Sequence, residues 1–264
     1  MEDKILIKSE LYDIPTVFYK PKIDGLIPAV ILCHGTGSCK DEAGNLFIQL
    51  AKSLAKKGIA SIRFDFAGCG ESLAKQQDLS FYGEVDDTEN IYSYLCQHEK
   101  VDINRIGILG LSQGARVMAE FLGKHPNEIK VAVSWSGACH NGAGVFNGWF
   151  KLYYEEAKKN EYAKIPMLWR DDLIISKKWF DDIRDSYPMK SLSKYEGAML
   201  AISGRDDTLV PHIHAKEIAS VCKGKIREFK IIDHADHIFN VLKKDKSIID
   251  KVVKDTVEWI DVNI

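Results

Sequence analysis

The chain has no Cys-x-x-Cys pair, no H-E-x-x-H spacing, no internal repeat and no low-complexity tract. It also has no apolar run approaching the roughly 20 residues that a membrane helix needs. These absences remove the usual zinc and redox motifs, solenoids, disordered tails and membrane spans from consideration. An excess of one charge is missing too. Lys plus Arg number 36 against 38 for Asp plus Glu, a net charge of -2. No strong field is available to steer nucleic acid or anionic lipid, and neither is expected as a partner. The short basic runs Lys56-Lys57 and Lys243-Lys244 are interleaved with acids and read as solvated faces.

Six cysteines (Cys33, Cys39, Cys69, Cys96, Cys139 and Cys222) are scattered along 264 residues. A chain long enough to bury a full core does not need them as disulfides. Residues 1–7 hold too short an apolar run for a signal peptide, so the expectation is a cytoplasmic protein with reduced thiols. With 45% hydrophobic and 28% charged residues, the composition is that of an ordinary globular protein.

What is present is an alternation. Residues 5–7 and 17–19 form two short alternating runs, read as an antiparallel lead-in to a sheet. Ala29-Val30-Ile31-Leu32-Cys33 is continuously apolar and ends in His34-Gly35-Thr36-Gly37, as expected of a strand buried on both faces. Leu46, Leu50 and Leu54 have helical spacing, and Gly58 supplies a C-terminal cap. Further strands are expected at 59–64, 106–109, 129–135, 198–202 and 227–232, with helices at 84–97, 115–122, 214–221 and 247–260. Strands alternating with helices mean crossover units and a mostly parallel sheet.

Residues 138–195 break the rhythm and are too long for a simple connection. They are read as an inserted cap on a core made of residues 1–137 and 196–264. The cap carries Trp149, Trp169 and Trp179, assigned here to substrate binding at the carboxyl edge of the sheet. The competing reading is that its aromatics only glue the insertion to the core.

Gly110-Leu111-Ser112-Gln113-Gly114 lies between an expected strand and an expected helix. A sharp turn there would hold the serine hydroxyl above the sheet, with a helix N-terminus behind it to favour developing negative charge. The neighbouring glycines do not match G-x-G-x-x-G, and the segment is not the first crossover unit, so a dinucleotide loop is set aside. A serine nucleophile needs a base that is itself oriented by a third group. Gly204-Arg205-Asp206-Asp207 follows one later strand and Asp233-His234-Ala235-Asp236-His237 follows the next, bringing an acid and a base to the same sheet edge.

On these residues the chain resembles the α/β-hydrolase family, and within it the bacterial feruloyl and cinnamoyl esterases. The likeness also runs through His34-Gly35-Thr36-Gly37 and Arg63-Phe64-Asp65-Phe66, with Gly68, Gly70 and Ser72. It implies a mostly parallel sheet flanked by helices, with catalytic Ser112, Asp207 and His237. The family pattern G-x-x-D-x-x-V-P falls on Gly204, Asp207, Val210 and Pro211, favouring Asp207 over Asp206. His237 and Phe239 match the histidine loop, while His234 stands where glycine is usual. The oxyanion hole is assigned to the backbone N–H groups of Thr36 and Gln113, and the aromatic residue usual before the Thr-Gly pair is absent. His34 is read as structural, and the cysteines near the sheet edge as small buried residues.

The expected activity is hydrolysis of a carboxylic ester through an acyl-enzyme, on a hydroxycinnamoyl or other small acyl substrate. No cofactor and no metal are expected, and a homodimer is compatible with the reading. A small acyl-peptidase or dipeptidyl-peptidase-like enzyme, a thioesterase, and a binding protein that has lost catalysis remain the alternatives.

Overall fold

Four strands are buried at every residue, and that fixes where they lie. β3 (Ile27–Cys33), β4 (Ala60–Phe64), β6 (Val131–Trp135) and β9 (Ala198–Gly204) have no solvent-facing side, so helices must cover both faces. In the computed structural model, which describes residues 1–264, these strands sit within one eight-stranded sheet. The other four are β1 (Glu2–Lys8), β2 (Asp13–Tyr19), β5 (Val101–Leu111) and β10 (Arg227–Ile232). The order is β1-β2-β4-β3-β5-β6-β9-β10. The β1–β2 and β2–β4 pairs are antiparallel. All pairs from β4 to β10 are parallel.

The pleat sorts side chains between two layers. Ile31, Ile62 and Ile108 face one layer, with α2 (Phe81–Gln97), α3 (Gln113–Lys124) and α7 (Ile213–Val221). Val30, Leu32, Leu109 and Leu111 face the other, with α1 (Leu46–Ala55) and α8 (Ser247–Asn263). Gly58 takes φ +79° just past α1, the left-handed backbone that a helix exit favours. The spacing places the start of α2 at residue 84, but it begins at Phe81. The Ser80 hydroxyl accepts the Gly83 N–H at 3.2 Å, an N-terminal cap that ends the preceding loop earlier.

Between β6 and β9 the chain forms α4 (Asn147–Asn160), the antiparallel hairpin of β7 (Tyr162–Ile165) and β8 (Leu173–Ser176), α5 (Lys177–Asp185) and α6 (Pro188–Leu192). Phe146, Trp179, Phe180 and Ile183 from this stretch join the apolar layer of α2 and α3. A buried cation ties it down as well. The Arg116 guanidinium, on α3, donates to the carbonyls of Ala138, His140, Gly142 and Ile183 and to the Ser186 hydroxyl. Burial without a carboxylate pulls its pKa down to about 10. No helix is long and apolar enough to cross a membrane.

Candidate active site

Ser112 sits between β5 and α3 with φ 55° and ψ -117°. A side-chain-bearing residue adopts such a conformation only where its surroundings impose it. Three backbone hydrogen bonds do so. The Ser112 N–H donates to Trp135 O at 2.9 Å, and its carbonyl accepts from Ala115 at 3.2 Å and Ala138 at 3.0 Å. The two glycines of the motif have steric reasons. A Cβ on Gly110 would lie 2.3 Å from the Gly114 carbonyl oxygen, and one on Gly114 would lie 2.1 Å from that of Cys33. The turn is therefore closed around backbone, leaving the serine partly exposed at the carboxyl end of the sheet.

Asp207 and His237 are brought together. His237 Nδ1 lies 2.7 Å from Asp207 Oδ2, and the aspartate side chain is fully buried. Asp207 Oδ1 accepts the N–H groups of Leu209 at 2.8 Å and Val210 at 2.9 Å. With both carboxylate oxygens so engaged, Nδ1 of His237 carries the proton and Nε2 keeps its lone pair. The Ser136 hydroxyl donates to His237 O at 2.8 Å, and Ser136 N–H to Ile202 O. Those bonds join the histidine loop to the strand ends beside the serine. Ser112 Oγ itself forms no hydrogen bond with His237 in this conformation. Contacts of this kind tighten when substrate arrives.

The two residues weighed against this pair lie elsewhere. Asp206 is exposed, its N–H bonded to Ala235 O. His234 is exposed at φ +61°, a left-handed position, which accounts for the glycine usual there.

The loop after β3 is held on all sides. His34 is buried, with Nδ1 2.8 Å from Gly35 O and Nε2 3.2 Å from the Phe66 N–H. The amide can only donate, so Nε2 accepts and Nδ1 carries the proton. Burial lowers its pKa, consistent with a neutral ring. The Gly35 N–H is taken by Glu42 at 2.5 Å, while the Thr36 N–H has no partner within the chain. Gln113 N–H belongs to the first turn of α3, where amides have no helical acceptor. These are the two donors assigned to the oxyanion hole.

A side-chain relay behind them escaped the sequence reading. The Thr36 hydroxyl donates to Gln113 Oε1 at 2.6 Å, and Gln113 Nε2 donates to Glu84 Oε2. Burial pushes the Glu84 carboxyl well above its ordinary range, which keeps a negative charge away from the place where an oxyanion would form. Lys40 and Asp65 pair at 2.6 Å behind the same loop, and Arg170 of the β7–β8 connection donates to Gly37 O. One signal for Glu84 was available: Glu84, Asp87, Thr88, Ile91 and Leu95 follow helical spacing on one face, with acids where apolar residues are usual.

The three tryptophans are not equivalent. Trp179 is fully buried among Phe146, Trp149 and Phe180, with ring centroids 5.2–5.8 Å away. Trp149 is half-buried against this group, and Trp169 is 60% exposed in the β7–β8 connection. All six cysteines are free. Burial raises the Cys33 thiol to about 12 and pushes Cys39 and Cys69 upward too, so none of these three is a poised nucleophile.

Fold and site together define an α/β-hydrolase. Residues 28–163, just over half of the chain, match the family model described as alpha/beta hydrolase fold, and the chain belongs to that family. It is 29% identical over 170 residues to the uncharacterized protein YcjY of Escherichia coli K12, covering 57% of this chain and 54% of that protein. It is 29% identical over 208 residues to the mouse peroxisomal succinyl-coenzyme A thioesterase, covering 73% of this chain and 43% of that one. The matches thus span about half the length of these relatives. Among solved structures, ferulic-acid-bound Est1E from Butyrivibrio proteoclasticus superposes with a TM-score of 0.79 at 16% identity over 98% of both chains. DcsB with its substrate analogue gives 0.79 at 17% identity over 100% of both. At such identities the likeness is one of fold.

Proposed function

We propose that the protein is a serine hydrolase of small carboxylic esters. Ser112 Oγ attacks the acyl carbon while His237 Nε2 takes its proton, and Asp207 stabilises the imidazolium that results. The tetrahedral oxyanion accepts from the N–H groups of Thr36 and Gln113. Collapse expels the alcohol, which receives the proton from His237, and leaves an acyl-Ser112. Water, deprotonated by His237, then releases the acid and regenerates the serine.

The observation that carries this reading is the part-buried Asp207–His237 hydrogen bond at 2.7 Å, at the sheet edge where Ser112 is held at φ 55°. The fold shared with ferulic-acid-bound Est1E makes an aromatic acyl group of the hydroxycinnamoyl class the first substrate to test. A second reading, thioester hydrolysis, is favoured by the likeness to the mouse thioesterase. The same attack serves it, with a thiol leaving. Matched ester, thioester and amide substrates sharing one acyl group separate the readings. The ester reading expects kcat/KM highest on the oxygen ester. A preference for the amide would contradict both, and a thioester preference would favour the second.

A further inference from the structure

Three side chains meet beside the acid loop that the proposed hydrolysis does not use. His140 lies on the loop after β6, and His214 and Glu217 lie one turn apart on α7, spacing that puts them on one helix face. A donor atom from each lies within 4.8 Å of the others. His140 Nε2 is 2.6 Å from Glu217 Oε2, and the two imidazole rings lie tilted by 31° with centroids 3.6 Å apart.

His214 is the unusual member. It is only 4% exposed, and its Nδ1 has no hydrogen-bond partner. Burial and the neighbouring His140 both lower its pKa. A buried imidazole nitrogen without a partner is a cost that structures rarely carry without a use.

We propose that His140, His214 and Glu217 form a binding site for a divalent cation of the zinc class. Two imidazoles and one carboxylate suit such borderline ions, with a water completing a tetrahedron. Ligand atoms around zinc sit about 2.0–2.2 Å from the ion, and so about 3.4 Å apart. His140 and Glu217 are 40% and 44% exposed, which leaves them free to turn and opens a path for the ion. The cation would replace the hydrogen between His140 Nε2 and Glu217 Oε2, and that proton would pass to His140 Nδ1 or to solvent.

The ligands come from segments 74 residues apart, so no linear motif announces them. Both segments touch the active site. Ala138, two residues before His140, donates to the Ser112 carbonyl, and the Pro211 carbonyl accepts the His214 N–H just after the acid loop. A bound ion would pin α7 to the loop behind the serine and stiffen the site without touching substrate.

The test uses untagged, EDTA-treated full-length protein titrated with Zn²⁺ alone. One equivalent per chain should bind, and saturating Zn²⁺ should raise the thermal midpoint by several degrees. His140→Ala, at a half-buried position, and Glu217→Ala, at an exposed one, should each weaken binding by at least about tenfold. Substituted Co²⁺ should show ligand-field bands without thiolate charge transfer. Zinc binding by the His140→Ala/Glu217→Ala double variant equal to wild type, no binding by wild type, or a thiolate–cobalt band would each overturn the proposal. None of these readouts depends on the ester chemistry.

Discussion

Replacing Asp207 by Asn tests the role of the acid with little change in shape. Asp207 Oδ1 accepts two backbone N–H groups, from Leu209 and Val210, while Oδ2 faces His237 Nδ1. An asparagine must give its oxygen to those two donors, because turning the amide would set its NH₂ against both of them. The NH₂ then faces Nδ1, which is forced to accept, and the ring proton moves to Nε2. That nitrogen can no longer take the proton of Ser112. The loss in kcat on a p-nitrophenyl ester should be on the order of 10³–10⁴-fold, about 4–5.5 kcal/mol of barrier. The thermal midpoint should hardly move, since both backbone donors remain satisfied. Steady-state kinetics at neutral pH, with a melting curve on the same preparation, measures both. A well-folded Asp207→Asn protein with more than a tenth of wild-type kcat would refute the assignment of Asp207.

Gly114→Ala places a Cβ 2.1 Å from one backbone carbonyl oxygen and 2.6 Å from another, those of Cys33 and His34. It should destabilise by more than about 4 kcal/mol, read as lost soluble yield, and a normal melting curve would count against the packed elbow. Asp87 is buried with its carboxyl pushed up to about 7, chiefly by burial and against the lowering effect of the Tyr12 hydroxyl. A carboxyl with a higher pKa folded than unfolded holds more protons when folded. Its contribution is therefore complete below about pH 4 and fades as pH rises to about 7. Asp87→Asn should flatten the fall in stability between about pH 4 and 7 by up to about 4 kcal/mol, from about three units at about 1.4 kcal/mol each. Urea unfolding across that range would contradict this if the slope is unchanged.

Much of the sheet was legible because buried strands are written as unbroken apolar runs. Ala29 to Cys33 reads as a strand from composition alone, and all of it is buried. Ser112 was legible for a local reason: its glycines, strand and helix are contiguous. Asp207 and His237 needed the family pattern, since nothing local separates Asp207 from Asp206. The relay from Thr36 through Gln113 to Glu84 was not legible. Its contacts join residues 77 and 29 positions apart, and a glutamate in a helix ordinarily reads as a solvated face. Arg116 hid in the same way, its partners being backbone carbonyls that carry no residue identity. The tryptophans were legible as an aromatic-rich stretch, but which of them packs and which faces solvent depends on how α4 and α5 meet each other, α2 and the β7–β8 hairpin.

Trapping the acyl-enzyme tests the nucleophile most directly. The protein would be quenched in acid shortly after mixing with a slowly deacylating ester, and the adduct mapped by peptide mass spectrometry. The acyl mass should fall on the peptide carrying Ser112 and vanish in Ser112→Ala, together with ester turnover. Retained turnover in Ser112→Ala, or an adduct on any other residue, would contradict the assignment.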